Sequence, residues 1–282
     1  METNLQIIET PEAMRAWSFA HRAEGKTIGF VPTMGALHEG HASLMRAAAA
    51  QNDLGVVSIF VNPAQFAPHE DYNQYPRTFD ADSRIAAGTG MHVIYAPHAS
   101  AMYPDRYSTY VNVEEVSEGL CGKSRPHFFR GVATVVTKLF NAVLPHRAYF
   151  GQKDAQQCAV IKRMTRDLDM GIEIVEMPIV REPDGLAMSS RNTYLSQEER
   201  QRGLCLSRSL FSARDRIEAG ERDAKAIVEH VRAGLADVQI DYVELVDGNT
   251  MKPVDRIEGT ILLAVAAWVG KTRLIDNIKC EV

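Results

Sequence analysis

Two histidines stand three residues apart in the segment FVPTMGALHEGH, residues 30–41, directly after a short apolar run. Gly35 and Gly40 flank the first of them, His38. Gly35 allows a ligand to approach the backbone closely, and a helix that starts near Gly40 attracts anions with its N-terminal N–H groups. His38 and His41 then share a face of the first turn, where both can donate to phosphate oxygens. The segment therefore predicts a phosphate site.

Two other interpretations of this histidine pair remain open. A loop histidine is often structural or solvated, and the HxxH spacing could also hold a metal ion. The sequence offers no third ligand close to the pair, so phosphate contact is the interpretation that we favour.

Three further segments contain side chains that suit a nucleotide substrate. FVNPAQF (60–66) places an amide after an apolar run, and LAMSSRN (186–192) supplies hydroxyls and a guanidinium. In YFGQKDAQQ (149–157), Lys153 could neutralise a polyphosphate, and Asp154 could accept from ribose hydroxyls. Each segment by itself is more often a turn, a surface ion pair or a loop. Their combination is much more specific.

The elements that must position these segments follow a βαβ rhythm up to about residue 180, which predicts an α/β fold with a parallel sheet. The predicted strands are 27–31, 54–61, 91–96, 108–113, 147–150 and 172–180. Apolar residues at three-to-four spacing predict helices over 40–52, 79–88, 132–144 and 155–168.

A smaller α+β unit is predicted to follow. The segment 181–196 is rich in Pro, Gly and Ser and is typical of a loop or hinge. After it, the pattern predicts two helices and then three consecutive strands, over 197–219, 223–236, 241–247, 261–269 and 272–280.

Composition excludes several classes of protein. The chain has 282 residues, 45% of them hydrophobic and 24% charged, which is ordinary for a globular protein. A net charge of -5 argues against broad nucleic-acid binding, although a small anionic ligand is compatible with it. The four cysteines form no CxxC pair, and the apolar run at 261–269 is too short to span a bilayer. We therefore expect a cytoplasmic protein with no membrane partner.

Together, FVPTMGALHEGH, FVNPAQF, FGQKDAQQ and AMSSRN resemble the pantothenate synthetase family, whose members are also called pantoate beta-alanine ligases. The resemblance covers nearly the whole chain, in the order and approximate spacing of the family. This family belongs to the nucleotidylyl transferase superfamily, in which HxGH is a version of the HIGH signature and the SSR loop stands in for KMSKS. The resemblance implies a Rossmann-like ATP- and pantoate-binding domain, residues 1–183, and a small α+β lid domain, residues 184–282.

The resemblance also implies roles for individual residues. His38, His41 and Lys153 would be catalytic, with His41 as the proton donor. The implied ATP site comprises Met34, Gly35, Ala36, Leu37, His38, Glu39, Gly40, His41, Gly151, Gln152, Lys153, Asp154, Val180, Met188, Ser189, Ser190 and Arg191. The implied pantoate site comprises Gln65, Gln157, Met34 and Phe66.

The sequence departs from the family pattern in two places. The family often reads RPGHFRGV where this chain reads RPHFFRGV (125–132), so Phe128 takes the usual position of a histidine. Some members carry adjacent carboxylates after YPRT that help to hold magnesium. Here Ala81 replaces one of these acids, and Asp82 is the one predicted metal ligand.

The resemblance implies an ATP-dependent ligase that condenses (R)-pantoate with β-alanine through a pantoyl adenylate, using Mg²⁺ and forming a homodimer. Two alternatives remain: an adenylyltransferase in which a substrate phosphate attacks ATP, and a nucleotide sensor without turnover. An aminoacyl-tRNA synthetase is excluded by the length, the acidic net charge and the lack of a recognisable anticodon-binding module.

Overall fold

The structure is a computed structural model that describes residues 5–68 and 70–282. This described part divides into two compact units. The first comprises the residues up to Val113 together with His127–Gly151 and Val160–Met177. The second comprises Glu114–Pro126, Gln152–Ala159 and Pro178–Val282. The simpler division of the chain at residues 183 and 184 stays a prediction.

In the first unit, six strands within the described residues form a parallel sheet in the order β1-β4-β3-β2-β5-β6. These strands are β1 Gln6–Ile8, β2 Ile28–Thr33, β3 Leu54–Ile59, β4 Val93–Tyr95, β5 Arg147–Gly151 and β6 Glu173–Met177. The central strand β2 is an almost continuous buried apolar run, as expected for a parallel strand that is covered on both faces. The predicted Rossmann-like fold class is confirmed.

The helices of the described chain are α1 Pro11–Ala23, α2 Glu39–Gln51, α3 Phe79–Gly88, α4 Ala99–Met102, α5 Cys121–Ser124, α6 Phe128–Val143, α7 Ala155–Asp167, α8 Gln197–Gly203, α9 Cys205–Glu218 and α10 Ala224–Gly234. Neighbouring strand residues point to opposite faces of the sheet. Phe30 of β2 meets Phe140 of α6, whereas Val31 lies in a buried cluster with Met45 of α2. Helices α2 and α6 therefore cover opposite faces.

In the second unit, β7 Gln239–Asp247, β8 Thr260–Val269 and β9 Thr272–Glu281 form an antiparallel sheet in that order. Apolar residues of α9 and α10 share one buried cluster with the sheet, including Leu210, Ile227 and Leu263. The predicted α+β character of this region is confirmed, and its three predicted strands are present.

The structure corrects two predictions of local structure and adds two elements that were not predicted. Residues 108–113 are not a strand, because Val111 donates its N–H to the Thr134 hydroxyl of α6 and Tyr110 packs its ring under the Arg130 guanidinium. The helix predicted over 197–219 is interrupted between α8 and α9. Strand β1 and helix α1 were missed, although α1 has a Thr10 N-cap and a proline in its first turn.

Two histidines at the amino end of the parallel sheet accept hydrogen bonds from strand backbone. Ile28 N donates to Nδ1 of His146 over 2.9 Å, and Gly55 N donates to Nδ1 of His92 over 3.1 Å. Burial lowers the pKa of both rings; the positive charges of Arg22 and Arg147 lower that of His146 further. Both rings are therefore held neutral, since a protonated Nδ1 could not accept.

We predict that the protein loses stability as the pH falls from about 7.5 to about 5.5. A lowered pKa means that the unfolded chain takes up a proton at a higher pH than the folded protein. The stabilisation is therefore complete above the ordinary histidine pKa of 6.5 and is lost as the pH falls through the folded pKa. Urea unfolding at the two pH values measures the change.

The double variant His92→Asn/His146→Asn should lose less stability over the same pH range, because an Asn Oδ1 accepts from the same N–H groups without titrating. His98→Asn is the control, since that ring is exposed. Equal pH dependence in the double variant and the wild type would contradict the assignment.

Candidate functional site

The loop that leaves β2 has an unusual backbone. Gly35 and Ala36 lie in the left-handed region, with φ of +81° and +51°, and Gly35 N donates to the Thr33 hydroxyl. An alanine in this region costs about 1–2 kcal/mol, so the surrounding structure must hold it there. The loop lies at the carboxyl edge of the parallel sheet, where open α/β sheets bind their ligands.

Asp82 of α3 holds this loop. Its Oδ2 accepts from Ala36 N over 3.0 Å, and its Oδ1 accepts from Leu37 N over 2.8 Å and from the Thr78 hydroxyl over 3.1 Å. The residue is only 1% exposed and lies in the first turn of α3, and the three donors satisfy both of its buried oxygens. Asp82 thereby fixes the turn that leads into the histidine pair.

His38 and His41 cap the N-terminus of α2 with their ring nitrogens. Gly40 N donates to Nδ1 of His38 over 3.1 Å, and His38 N donates to Nδ1 of His41 over 3.3 Å. The ring centroids lie 4.1 Å apart. Because each Nδ1 accepts a backbone N–H, each neutral ring carries its proton on Nε2. The pair therefore offers two N–H donors at a helix N-terminus, which suits phosphate oxygens.

The turn after β3 orients the Gln65 amide. Asn62 is 1% exposed, and its Nδ2 donates to Gln65 Oε1 over 3.0 Å. Asn62 Oδ1 accepts from the Tyr103 hydroxyl over 2.7 Å. The Gln65 Nε2 group lies on the other side of the amide, 3.0 Å from the Met34 sulfur. Gln65 therefore presents a donor on the side of Met34, and the pantoate contacts of these two residues stay a prediction.

A close approach of α6 stabilises the same turn. A Cβ added at Gly131 would lie 2.2 Å from the Ala64 carbonyl oxygen, so only glycine fits without a backbone shift. The Gly131 carbonyl also accepts from Asn62 Nδ2 over 3.2 Å. Phe66, which is a predicted apolar wall, packs its ring against Tyr72 and Tyr75.

In the second unit, Gln152–Asp154 of the predicted GQKD segment form a single 3₁₀ turn that leads into α7. Lys153 Nζ lies 2.8 Å from Asp154 Oδ2, so the two predicted residues are an ion pair in this structure. Gly151, the last residue of β5, belongs to the first unit.

The two neighbouring glutamines of this segment differ in their surroundings. Gln156 is 6% exposed; its Oε1 accepts from Cys121 N, and its Nε2 donates to the carbonyls of Val116 and Gly119. Gln157 is only partly buried. Gln156 therefore stabilises the neighbouring loop, and the pantoate contact of Gln157 stays a prediction.

The loop from Val180 to Arg191 folds back on itself in the second unit. Met188 N donates to the Val180 carbonyl over 3.0 Å, and Ser189 Oγ accepts from Arg191 N over 3.3 Å. Asn192, which was not among the predicted site residues, donates to the Ala187 carbonyl and to Glu182. The structure thus brings together two stretches predicted to contact ATP, Val180 and Met188–Arg191.

Two features are absent from the described residues. Within residues 5–68 and 70–282, no group of three His, Cys, Asp or Glu side chains is placed to hold a metal ion. In the same part of the chain, no helix is both long and apolar enough to cross a membrane.

Comparison with known proteins gives one consistent family. Residues 6–279 match the family model for pantoate-beta-alanine ligase. A pantothenate synthetase of Thermotoga petrophila is 57% identical, with 97% of this chain and 99% of the relative covered. The crystal structure of pantothenate synthetase from Thermus thermophilus is 39% identical and superposes with a TM-score of 0.92, covering 97% and 98% of the two chains.

A further structure resembles this chain and contains ligands. It is the pantoate-beta-alanine ligase of Francisella tularensis in complex with beta-gamma ATP and beta-alanine. The two chains are 31% identical, 97% of each is covered, and the TM-score is 0.79.

We predict that Asp82→Asn lowers the free energy of unfolding by about 1–3 kcal/mol. In the wild type, each carboxylate oxygen accepts a hydrogen bond from a backbone N–H group, whereas in the variant an NH₂ group faces one of these N–H groups and cannot accept from it. Urea unfolding at neutral pH measures the loss. Asp80→Asn is a matched control, since this exposed residue lies in the same first turn of α3. An equal effect of the two substitutions would contradict the role of Asp82 in holding the loop.

Proposed function

Because the chain belongs to the pantoate-beta-alanine ligase family, we propose that it condenses (R)-pantoate with β-alanine to form pantothenate, converting ATP to AMP and pyrophosphate. The observation that carries the proposal is the capped turn at the start of α2, in which both imidazoles accept through Nδ1 and therefore carry the proton of the neutral ring on Nε2. The Francisella tularensis relative, in complex with beta-gamma ATP and beta-alanine, supports the choice of these two substrates.

In the first half-reaction, a carboxylate oxygen of pantoate attacks the α-phosphorus of ATP. The bond from that phosphorus to the bridging oxygen breaks, pyrophosphate leaves, and pantoyl adenylate forms. No enzyme nucleophile is needed, so the protein acts through positioning and through stabilisation of the charge that develops on the phosphates. We assign this stabilisation to His38, His41 and Lys153, with His41 as the proton donor.

We assign pantoate binding to Gln65 and Gln157. The orientation of Gln65 supports this role, since its oxygen accepts from Asn62 and its donor group Nε2 lies on the side of the Met34 sulfur, 3.0 Å away. Met34 and Phe66 would contact the apolar dimethyl carbon. The remaining proposed ATP contacts are Gly35, Ala36, Leu37, Glu39, Gly40, Gly151, Gln152, Asp154, Val180, Met188, Ser189, Ser190 and Arg191.

In the second half-reaction, the amine of β-alanine attacks the acyl carbon of the adenylate. The new C–N bond forms as the bond to the AMP oxygen breaks, and the amine loses a proton. Because a mixed anhydride is already activated, the main requirement is again the placement of the two reactants. The lid role of residues 184–282 stays a prediction.

We propose that Mg²⁺ accompanies ATP and is held mainly by phosphate oxygens and water, as is usual for this ion. Asp82 is poorly suited to bind Mg²⁺ directly, because it is buried and its two oxygens already accept hydrogen bonds from Ala36, Leu37 and Thr78. Its assignment as a metal ligand stays a prediction, and no step above depends on it. A homodimer in the cytoplasm is proposed on the family resemblance alone.

The test of the function is isotope exchange between pyrophosphate and ATP. Purified protein with ATP, Mg²⁺ and labelled pyrophosphate should transfer label into ATP only when pantoate is added, without β-alanine. Addition of β-alanine should then release AMP and pantothenate. A protein that binds ATP but shows neither exchange nor AMP release would overturn the proposal and favour the nucleotide sensor. Turnover with a phosphate acceptor instead of pantoate would favour the adenylyltransferase.

The histidine geometry predicts opposite effects for two substitutions of His41. Asn places an oxygen near the position of Nδ1 and can retain the helix cap, but it removes the donor at Nε2. Gln places an amide N–H near Nε2 and loses the cap. We expect His41→Asn to unfold at nearly the wild-type urea concentration and to lose exchange activity by about a hundredfold or more.

His41→Gln should retain more exchange activity than His41→Asn and should unfold at a lower urea concentration. Both properties are measured on the same preparations. Wild-type exchange rates in His41→Asn would show that the Nε2 donor is not required.

A further inference from the structure

The last strand of the second unit buries two adjacent polar side chains. Asp276 and Asn277 interrupt the apolar pattern of β9, and each is 3% exposed. A buried polar group is costly unless it is hydrogen-bonded, so the partners of this pair indicate what it does. Successive strand residues point in opposite directions, so the two side chains reach different segments.

Asn277 holds the turn that contains Lys153. Its Nδ2 donates to the carbonyl of Gln152 over 2.9 Å and to that of Lys153 over 3.0 Å. Its Oδ1 accepts from Gln152 Nε2 over 3.1 Å. One side chain thus fixes two consecutive peptide groups of a 3₁₀ turn, and the backbone position of Lys153 depends on them.

Asp276 holds the segment that begins at Arg181. Its two oxygens accept from the Arg181 guanidinium over 2.7 and 2.9 Å, and Arg181 also donates to the Gly185 carbonyl. Such a paired, planar contact fixes orientation as well as distance. Arg181 directly follows Val180, whose carbonyl accepts from Met188 N. Asp276 therefore holds the base of the loop from Val180 to Met188.

The contacts of Asp276 and those of Asn277 are linked electrostatically. Burial raises the pKa of Asp276, and the positive charges of Arg181 and Lys153 act against this rise. The Asp276 Oδ1 atom also accepts from Asn277 N over 2.8 Å. The two residues thus form one connected network within the second unit, joined through the backbone N–H of Asn277.

We propose that Asp276 and Asn277 are positioning residues for ATP, holding the Lys153 turn and the Val180 loop at the same time. Neither residue needs to touch the nucleotide. The inference deepens the proposed function and rests on it for the identity of the ligand. The hydrogen bonds themselves lie within one unit and do not depend on the reaction.

The test compares Asn277→Ala with a matched control on the same strand. Arg273→Met breaks another half-buried ion pair of β9, with Asp241 of β7, and leaves the contacts of Asn277 in place. Urea unfolding shows how much stability each variant loses. Hydrogen exchange of backbone amides and the affinity for a non-hydrolysable ATP analogue are then measured on both folded variants.

For Asn277→Ala we expect faster amide exchange over residues 152–155 and about tenfold weaker binding of the analogue, because small misplacement of a charged group is costly. In the pyrophosphate exchange assay, the KM for ATP should rise by a similar factor. Arg273→Met should match the wild type in all three measurements. Equal behaviour of the two variants, or unchanged analogue affinity in Asn277→Ala, would overturn the proposal.

If Asn277→Ala does not fold, Arg181→Met tests the other half of the network. It should speed amide exchange over residues 182–188 and weaken binding of the analogue by a similar factor; unchanged affinity would again overturn the proposal.

Amide exchange and analogue binding require no turnover. A wild-type protein that binds the analogue but fails in the pantoate assay would therefore refute the proposed function while leaving these results interpretable.

Discussion

The unsatisfied N–H groups at the start of α2 are the constraint on which the candidate site depends. A helix cannot pair its first N–H groups internally. Here two imidazole nitrogens accept hydrogen bonds from the backbone N–H groups of His38 and Gly40. This contact determines the tautomer of both rings and thereby their chemistry. The nitrogens that remain are donors, next to the positive end of a helix dipole. A structural requirement of the helix and a chemical requirement of phosphate binding are met by the same two side chains.

Buried polar residues hold the segments that carry these exposed groups. Asp82 stabilises the left-handed turn before the histidines, Asn62 orients the Gln65 amide, and Gln156 and Asn277 bind backbone groups of neighbouring loops. Each of them is almost inaccessible to solvent, so its hydrogen bonds are not exchanged for water. Most residues proposed to contact substrates are more exposed, although Gly35 and Leu37 are buried as well. Binding and positioning are therefore assigned to different side chains.

The departures from the family pattern are consistent with this division. Asp82 is retained beside Ala81, and Asp82 is the residue whose oxygens hold the loop. In RPHFFRGV, Gly131 is retained, and it permits α6 to approach the turn that carries Gln65. Phe128 packs against Phe129 at the start of the same helix. Asp82 and Gly131 are thus two retained residues with close backbone contacts.

Much of the fold and part of the site could be predicted from the sequence, because the interactions concerned are local. Apolar runs and three-to-four spacing depend on nearby residues, and the histidine cap spans three positions. The tertiary structure alone decided the rest. Asp82 meets a loop 46 residues away, and Asn277 meets Gln152 across 125 residues. Residues 108–113 alternate like a strand but pack against α6. A polar residue has the same identity in the sequence whether it is solvated or buried, and only the folded chain supplies the partners that distinguish the two.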